Sequence, residues 1–194
     1  MELTSELLLS AYCQGVFPMA HEDGDIYWYD PDPRTILPLD EFHTPRSLKR
    51  KIKKNLFEIR VNSSFTDVMI ACSAPAPGRE STWINNELII AYTKLNQLGY
   101  AHSVEVWQAN ELVGGLYGVA VRGLFAGESM FSHVTDSSKI ALVYLVERLR
   151  RKGYVLLDTQ FTTDHLRQFG ALEIEAEEYK RRLQTALKIP AQFV

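Results

Sequence analysis

Strand patterns and helix patterns alternate along the second half of the chain, and this alternation most constrains the fold. Segments rich in apolar and β-branched residues predict strands, and segments with helical spacing lie between them. The strand patterns at 102–108 and 111–121 are separated by two residues, so they predict a hairpin. The pattern predicts an α/β (α+β) fold in which a mixed sheet carries flanking helices. Further strands are predicted at 123–131, 154–160 and 172–175, and helices at 139–153, 164–169 and 177–187.

The first half is less regular and contains more turns. A helix is predicted over residues 3–14, and a stretch rich in proline and aspartate at 23–38 predicts a structured loop between short extended pieces. Thr44 and Pro45 predict the cap and the first position of a second helix over 46–55.

The middle of the chain is punctuated by a proline-rich turn at 74–80, which we interpret as a linker or a loop facing the substrate. Helices are predicted on either side of it, at 64–72 and 82–99. Further along, Asp136 and Ser137 predict the cap of the helix that follows them.

Six cations fall within nine residues of the helix predicted at 46–55. Leu48 and Ile52, four residues apart, supply one narrow apolar stripe, so the cations cannot all face a core. Two interpretations stay open, a solvated charged face and a surface that binds phosphates. The six cations are Arg46, Lys49, Arg50, Lys51, Lys53 and Lys54.

Composition excludes several classes of protein. The chain has 194 residues, which is enough to bury a core without disulfides. It has no apolar run near the roughly 20 residues that span a bilayer and no export signal, so we expect a cytoplasmic protein without membrane association. Cys13 and Cys72 lie far apart and the five histidines are scattered, so we expect neither a disulfide nor a metal site.

Three polar residues, Glu128, Asp158 and Gln160, interrupt two apolar strand segments. The common phosphate-loop, zinc-protease and serine-hydrolase motifs are absent from the sequence. Asp158 and Gln160 are two apart on a predicted strand, so they project to the same face and can act on one ligand. Because buried carboxylates must be hydrogen bonded, a structural network between strands also explains them. Spacing alone leaves both interpretations open.

At these residues the sequence resembles the leucyl/phenylalanyl-tRNA–protein transferase family. The matching segments follow the family's order along nearly the whole chain, and they include YWYDPDPR at 27–34, LVGGLYGVA at 112–120, LFAGESMFS at 124–132 and LLDTQ at 156–160. The resemblance implies an aminoacyltransferase that moves Leu, Phe and also Met from aminoacyl-tRNA to proteins whose first residue is Arg or Lys. The product carries a signal for N-end rule degradation, and no cofactor is implied.

The resemblance also implies an organisation of the chain. Residues 63–194 are expected to form a catalytic domain similar to the acetyltransferase-like domain of peptidoglycan-building aminoacyl-tRNA transferases. Residues 1–62 are expected to form a small helical and extended N-terminal portion that carries the basic helix. We expect the protein to be a monomer.

Residue by residue, the resemblance implies that Asp158 and Gln160 form the catalytic pair and that Glu128 is the active-site glutamate. It further implies a pocket around the terminal adenosine and the aminoacyl side chain. Because tRNA is held mainly through its phosphates, we also expect a tRNA-binding set on the basic helix. Met19 stands where a tryptophan is common in the family, which weakens stacking on the nucleotide there. The pocket residues are Trp83, Phe125, Met130, Leu116, Leu142, Leu145 and Leu157, and the tRNA-binding residues are Arg46, Lys49, Arg50, Lys53 and Lys54.

A neutral amide is too weak a base to hold a proton near neutral pH. Our hypothesis is therefore that Gln160 orients the attacking amine or the developing oxyanion, while Asp158 fixes Gln160. Glu128 either contributes to a negative subsite for the acceptor or contacts the adenosine. Two other functions remain as alternatives: an acyl-CoA-dependent N-acetyltransferase, whose usual RxxGxG-type loop is absent, and an RNA-binding module, which leaves the three polar residues unexplained.

Overall fold

A computed structural model describes residues 3–75 and 82–194, and within these ranges the chain forms seven helices and nine strands. The helices are α1 (Ser5–Cys13), α2 (Arg46–Lys53), α3 (Phe65–Ser73), α4 (Asn86–Gln97), α5 (Ser137–Arg151), α6 (Asp164–Arg167) and α7 (Ala176–Ala186). The strands are β1 (Phe17–Ala20), β2 (Ile26–Tyr29), β3 (Arg34–Ile36), β4 (Glu58–Val61), β5 (Ala101–Gln108), β6 (Glu111–Val121), β7 (Leu124–Ser132), β8 (Leu156–Gln160) and β9 (Leu172–Ile174).

Seven of these strands form one mixed sheet in the order β4-β5-β6-β7-β8-β3-β9. β7 and β8 run parallel, joined by the crossover helix α5, and the other neighbouring strands run antiparallel. The predicted hairpin forms between β5 and β6, where Ala109 and Asn110 both adopt positive φ, as a tight two-residue hairpin turn requires. The prediction of a mixed sheet with flanking helices is confirmed.

Strands from the first part of the chain belong to the same sheet as those of the second part. β3 lies between β8 and β9, and β4 forms the outer edge beside β5. A three-residue strand such as β3 has too little alternation to be recognised from sequence, and the segment lies within the stretch at 23–38 for which a structured loop is predicted. The boundary between residues 62 and 63 stays a prediction.

One predicted helix cap is wrong, and a second is right in position but lacks the capping hydrogen bond. Thr44 does not cap α2, because the helix begins one residue later, at Arg46, with Pro45 in the cap position. Asp136 occupies the cap position of α5 but makes no capping hydrogen bond, because its carboxylate pairs with Lys51 and Lys139, each at 3.2 Å. Of the predicted proline-rich turn, residues 76–80 lie outside the described residues.

The core lies on both faces of the sheet. Leu116 and Phe125 point to one face, where α5 packs, and their neighbours Tyr117 and Ala126 point to the other, where α1, α3 and α4 pack. Among the described helices, none combines the length and the apolar character needed to cross a bilayer.

The C-terminal tail completes the core on the α5 side. The ring of Phe193 is 2% exposed and stacks against His102 and Phe125, with ring centroids 4.4 and 5.2 Å away. The guanidinium of Arg148 lies 4.9 Å from the same ring centroid, and its Nε donates to the Phe193 carbonyl at 2.8 Å. Burial lowers the pKa of His102 to about 4, so its ring packs in the neutral form.

We predict that Phe193→Ala lowers the free energy of unfolding by about 3–5 kcal/mol, because it leaves a cavity beneath Phe125 that the sheet cannot close. Val194→Ala is the matched control, since that side chain is 65% exposed and its loss should change stability by less than about 0.5 kcal/mol. Urea unfolding followed by circular dichroism measures both values. Equal stabilities for the two variants would contradict this account of the tail.

Candidate active site

The candidate active site is a cavity of about 730 Å³ that lies where strands β7 and β8 part. The two strands are paired in parallel as far as Ala126 and Asp158. Beyond this point both strands line the cavity, β7 with Glu128 and β8 with Gln160. Side chains from two neighbouring strands therefore converge on one space.

Glu128 is the extra residue of a β-bulge in β7. Tyr117 of β6 is paired with Ser129, and Gly118 is paired with Gly127, so the residue between these two positions of β7 has no partner in the ladder. A bulge turns a side chain away from the direction that regular alternation would give it. The bulge accounts for a carboxylate that reaches the cavity from a largely apolar strand.

Beneath the cavity floor, Arg34 and Asp158 form a fully buried ion pair. Nε of Arg34 donates to Oδ1 of Asp158 at 2.9 Å and Nη2 donates to Oδ2 at 2.6 Å. The Tyr179 hydroxyl also donates to Oδ2 at 2.8 Å, and Nη1 of Arg34 donates to the Gly15 carbonyl at 2.8 Å. Burial opposes the charge of Arg34, yet the hydrogen bonds to Asp158 leave its pKa raised. Both charges are paired and hydrogen bonded, as buried charges require.

Asp158 positions Gln160 through the backbone. Gln160 adopts a left-handed backbone conformation with φ of 65°, and its N–H donates to Oδ1 of Asp158 at 2.9 Å. A non-glycine residue adopts this conformation only where its surroundings hold it. The Gln160 side chain then reaches Glu128, donating from Nε2 to Oε1 at 2.9 Å. Asp158 and Gln160, which the sequence pattern pairs, are therefore linked by a hydrogen bond from the main chain of Gln160 to the side chain of Asp158.

Glu128 carries two unlike carboxylate oxygens. Oε1 accepts from the Tyr12 hydroxyl at 2.6 Å as well as from Gln160, and the Tyr12 hydroxyl is hydrogen bonded to that of Tyr92. Oε2 is buried and has no hydrogen-bond partner among the residues that the structure describes. Burial raises the pKa of Glu128 to about 8. The hydrogen bond from Tyr12 lowers this pKa, but its effect is smaller than that of burial. The group can therefore change its protonation state near neutral pH.

Most of the predicted pocket residues lie together in the cavity wall. Asp158 and Phe125 do not line it: Asp158 lies beneath it in the ion pair, and Phe125 is fully buried in the core against Phe193. Met19 also lines the cavity, so the residue that replaces a tryptophan does sit at the site. The predicted residues found in the wall are Trp83, Leu116, Met130, Leu142, Leu145 and Leu157, together with Glu128 and Gln160.

The basic helix α2 separates its cations into two groups. Leu48 is buried in the core, and Lys51 turns toward the protein, where it binds the Thr135 carbonyl at 2.5 Å and pairs with Asp136. The other five cations are exposed and form no ion pair with any residue in the described ranges. These five are Arg46, Lys49, Arg50, Lys53 and Lys54.

Sequence reasoning missed four residues that build the site. Arg34 lies in the DPDPR segment, where a lone arginine in a turn-rich stretch gave no sign of burial. Tyr12, Tyr92 and Tyr179 lie on three different helices and read as ordinary core aromatics. In the described part of the chain, no three His, Cys, Asp or Glu side chains are grouped as metal ligands would be.

The sequence matches one family along nearly its whole length. The family model described as leucyl/phenylalanyl-tRNA protein transferase matches residues 36–184, and the model of the same transferase's N-terminal domain matches residues 1–32. Among solved structures, a GCN5-related N-acetyltransferase from Kribbella flavida superposes on 87% of this chain and 59% of its own, with a TM-score of 0.43 and 8% identity. That likeness is too weak to support an assignment.

Curated relatives agree with the family models. A leucyl/phenylalanyl-tRNA–protein transferase from Phenylobacterium zucineum is 53% identical over 99% of this chain and 88% of its own length. The protein of the same name from Herpetosiphon aurantiacus is 57% identical over 98% of both chains, and that from Rhodospirillum rubrum is 51% identical over 100% of this chain and 92% of its own. Because the two family models together match most of the chain and these relatives are 51–57% identical along nearly all of it, this chain belongs to the leucyl/phenylalanyl-tRNA–protein transferase family.

Proposed function

We propose that this protein transfers Leu, Phe or Met from aminoacyl-tRNA to the N-terminal Arg or Lys of acceptor proteins in the cytoplasm, working as a monomer. The product, a protein with a bulky apolar N-terminus, is then directed to degradation. The observation that carries the proposal is a cavity in which an apolar wall meets the hydrogen-bonded pair of Glu128 and Gln160.

The apolar wall suits the amino acids proposed. Three leucines of α5 and β8 line the cavity together with Leu116 and Met130 from the neighbouring strands. These five side chains carry no charge that could pair with a charged or polar substrate side chain. Such a pocket discriminates poorly between apolar side chains of similar bulk but rejects charged ones, because a charge there would lose its hydration. The three leucines are Leu142, Leu145 and Leu157.

The polar end of the cavity suits the reaction. An aminoacyl ester is already activated, so the enzyme has to hold a neutral amine about 3 Å from the ester carbonyl and stabilise the charge that develops. The side-chain amide of Gln160 donates one hydrogen to Glu128. Its side-chain oxygen, Oε1, accepts no hydrogen bond from the described residues. That oxygen can accept an N–H of the incoming amine and so orient its lone pair. Asp158 acts indirectly by fixing the backbone of Gln160.

Helix α2 offers a surface that suits the binding of tRNA phosphates. Its five exposed cations lack intramolecular partners within the described residues, so they are available to phosphates without breaking ion pairs. Contacts of this kind give affinity that depends on salt and little on sequence, which suits a protein that accepts more than one tRNA.

The two alternative functions, an acyl-CoA-dependent N-acetyltransferase and an RNA-binding module, fit the structure less well. An acyl-CoA-dependent enzyme needs backbone N–H groups at the start of a helix for the pyrophosphate. Here the Ser138 N–H donates to Ser132, the Ser137 N–H donates to Val134, and the Asp136 carboxylate places a negative charge at the start of α5. A simple RNA-binding module would account for α2 but would have no use for the cavity.

The reaction itself gives the first prediction. Radiolabelled leucine from Leu-tRNA should be transferred to a peptide that begins with Arg and not to an otherwise identical peptide that begins with Asp. Label on neither peptide, with tRNA binding intact, would favour the RNA-binding module. Label on both would contradict the proposed acceptor class.

The second prediction concerns α2. Replacing Lys49, Arg50, Lys53 and Lys54 together by Ala should reduce the slope of log affinity for tRNA against log salt by about 3, since each phosphate contact contributes close to one. Lys51→Ala is the matched control on the same helix. It removes a cation that pairs with Asp136, so the salt slope should stay unchanged. Filter binding across a salt series measures both, and equal effects would remove α2 from the tRNA surface.

The third prediction concerns the buried ion pair. Asp158→Asn leaves the Arg34 guanidinium buried without its counter-charge, which should lower the free energy of unfolding by about 3–5 kcal/mol. At temperatures where the variant remains folded, kcat should fall much more than affinity for tRNA. The new amide nitrogen faces the donors of Arg34 or Tyr179 and displaces the oxygen that holds the Gln160 backbone. Urea unfolding and steady-state kinetics measure the two effects. Equal losses in kcat and affinity would contradict the positioning role.

A further inference from the structure

We propose that Glu128 is the group that takes the proton from the attacking amine and returns it to the departing tRNA oxygen, with Oε2 as the atom that carries it. The inference rests on the proposed function and assigns a catalytic role within it. It differs from the roles first considered for Glu128, a negative subsite or an adenosine contact.

The geometry around the carboxylate sets its two oxygens apart. Oε1 is occupied by the Tyr12 hydroxyl at 2.6 Å and by Nε2 of Gln160 at 2.9 Å, which fixes the orientation of the whole group. Oε2 is buried and has no hydrogen-bond partner in the described part of the chain, and it belongs to a residue that lines the cavity. A buried polar atom without a partner costs free energy, so Oε2 is suited to bind a donor that enters the cavity. A donor in the cavity, such as an amine N–H, is the partner that this oxygen lacks.

The proton transfer balances without any further reactant. The neutral amine nitrogen attacks the ester carbonyl carbon and the C–N bond forms. The nitrogen then sheds one proton to Oε2 of Glu128. The bond between the carbonyl carbon and the ribose 3′ oxygen breaks, and that oxygen takes the proton from Oε2. The products are an amide and a free 3′ hydroxyl, and Glu128 returns to its ionised form.

Other groups near the reaction centre are less suited to this role. Asp158 already accepts four hydrogen bonds, lies fully buried beneath the cavity and is neutralised by Arg34. The amide of Gln160 cannot hold a proton near neutral pH. His165 also lines the cavity and its Nε2 is buried, but burial lowers its pKa, so its ring holds a proton less readily than that of an ordinary histidine.

The charged and titratable groups that face Glu128 come from four elements. Tyr12 of α1 and Tyr92 of α4 stay protonated, because burial and then the charge of Glu128 raise the pKa of both hydroxyls. Asp158 of β8 raises the pKa of Glu128 and Arg34 of β3 lowers it. Burial is the largest cause, and the resulting pKa of about 8 is close to the ~7.7–8.0 of a free α-amino group. Proton exchange between the two is therefore nearly balanced in free energy.

The test is the steepness of the acid limb in the pH profile. The reactive complex needs an ionised Glu128 and a neutral amine, and both are lost as pH falls. Log kcat/KM for the Arg-peptide, measured with saturating Leu-tRNA from about pH 5.5 to about 9.5, should fall with a slope approaching 2 below both pKa values. Glu128→Gln keeps the shape and the oxygen that accepts from Tyr12 but cannot take a proton. Its limb should have a slope of 1, with a plateau about 100-fold lower.

Two further variants separate this role from a structural one. Tyr12→Phe removes a hydrogen bond that lowers the pKa of Glu128, so the limb should move to higher pH and keep its slope of 2. His165→Asn should leave the slope at 2. A slope of 2 that survives in Glu128→Gln, or one that falls to 1 in His165→Asn, overturns the proposal.

Thermal unfolding tests the titration of Glu128 without reference to activity. A carboxyl whose folded pKa of about 8 exceeds its ordinary value of 4.5 stabilises the fold below pH 4.5, and that stability is lost as pH rises through about 8. The difference in melting temperature, Glu128→Gln minus wild type, should therefore become more positive as pH rises from 4.5 to about 8. A constant difference overturns the proposal. Absence of transfer by the wild type at every pH would instead overturn the proposed function, so the two failures are distinguishable.

Discussion

The buried ion pair between Arg34 and Asp158 is the contact on which the rest of the site depends. It joins β3 to β8, holds the Gly15 carbonyl and the Tyr179 hydroxyl, and receives the backbone N–H of Gln160. Segments far apart in the chain thus meet at one carboxylate. An ion pair at this depth contributes little net stability compared with apolar packing, because desolvation offsets its attraction. Its effect here is geometric: it forces Gln160 into a conformation that delivers its amide to Glu128.

Burial has two consequences at the cavity, and both favour the same reaction. The leucine-lined wall suits the apolar aminoacyl side chain that we propose it binds, and burial raises the pKa of Glu128 toward that of an α-amino group. A more polar cavity would lose both properties together. The bulge in β7 makes the combination possible, because it presents one carboxylate to a space whose surrounding strand residues are mostly apolar.

On the protein surface, helix α2 separates the residues that anchor it from the cations that stay exposed. In α2, Leu48 and Lys51 attach the helix to the core and to the start of α5, and the remaining cations stay exposed. Ile52 also packs against the core, so the exposed cations are carried by an anchored helix, which loses less entropy on binding phosphates than a mobile tail would. In the function that we propose, the helix and the cavity hold different parts of one large substrate, the tRNA body and its aminoacyl end.

The sequence by itself determined the order of most elements, the mixed sheet, the hairpin at Ala109 and Asn110, and the polar candidates, because these follow from periodicity, turn chemistry and matched motifs. It also placed the cations of α2 on a helix but could not tell that Lys51 faces inward. The tertiary structure alone decided that Arg34 is buried and that Glu128 sits on a bulge. It also decided that the Asp158 carboxylate contacts the main chain of Gln160 rather than its side chain. The burial of Arg34 depends on contacts between residues more than a hundred positions apart, and the placement of Glu128 depends on one extra residue in a strand ladder. The contact of Asp158 depends on the left-handed backbone of Gln160, and none of the three follows from periodicity or turn chemistry.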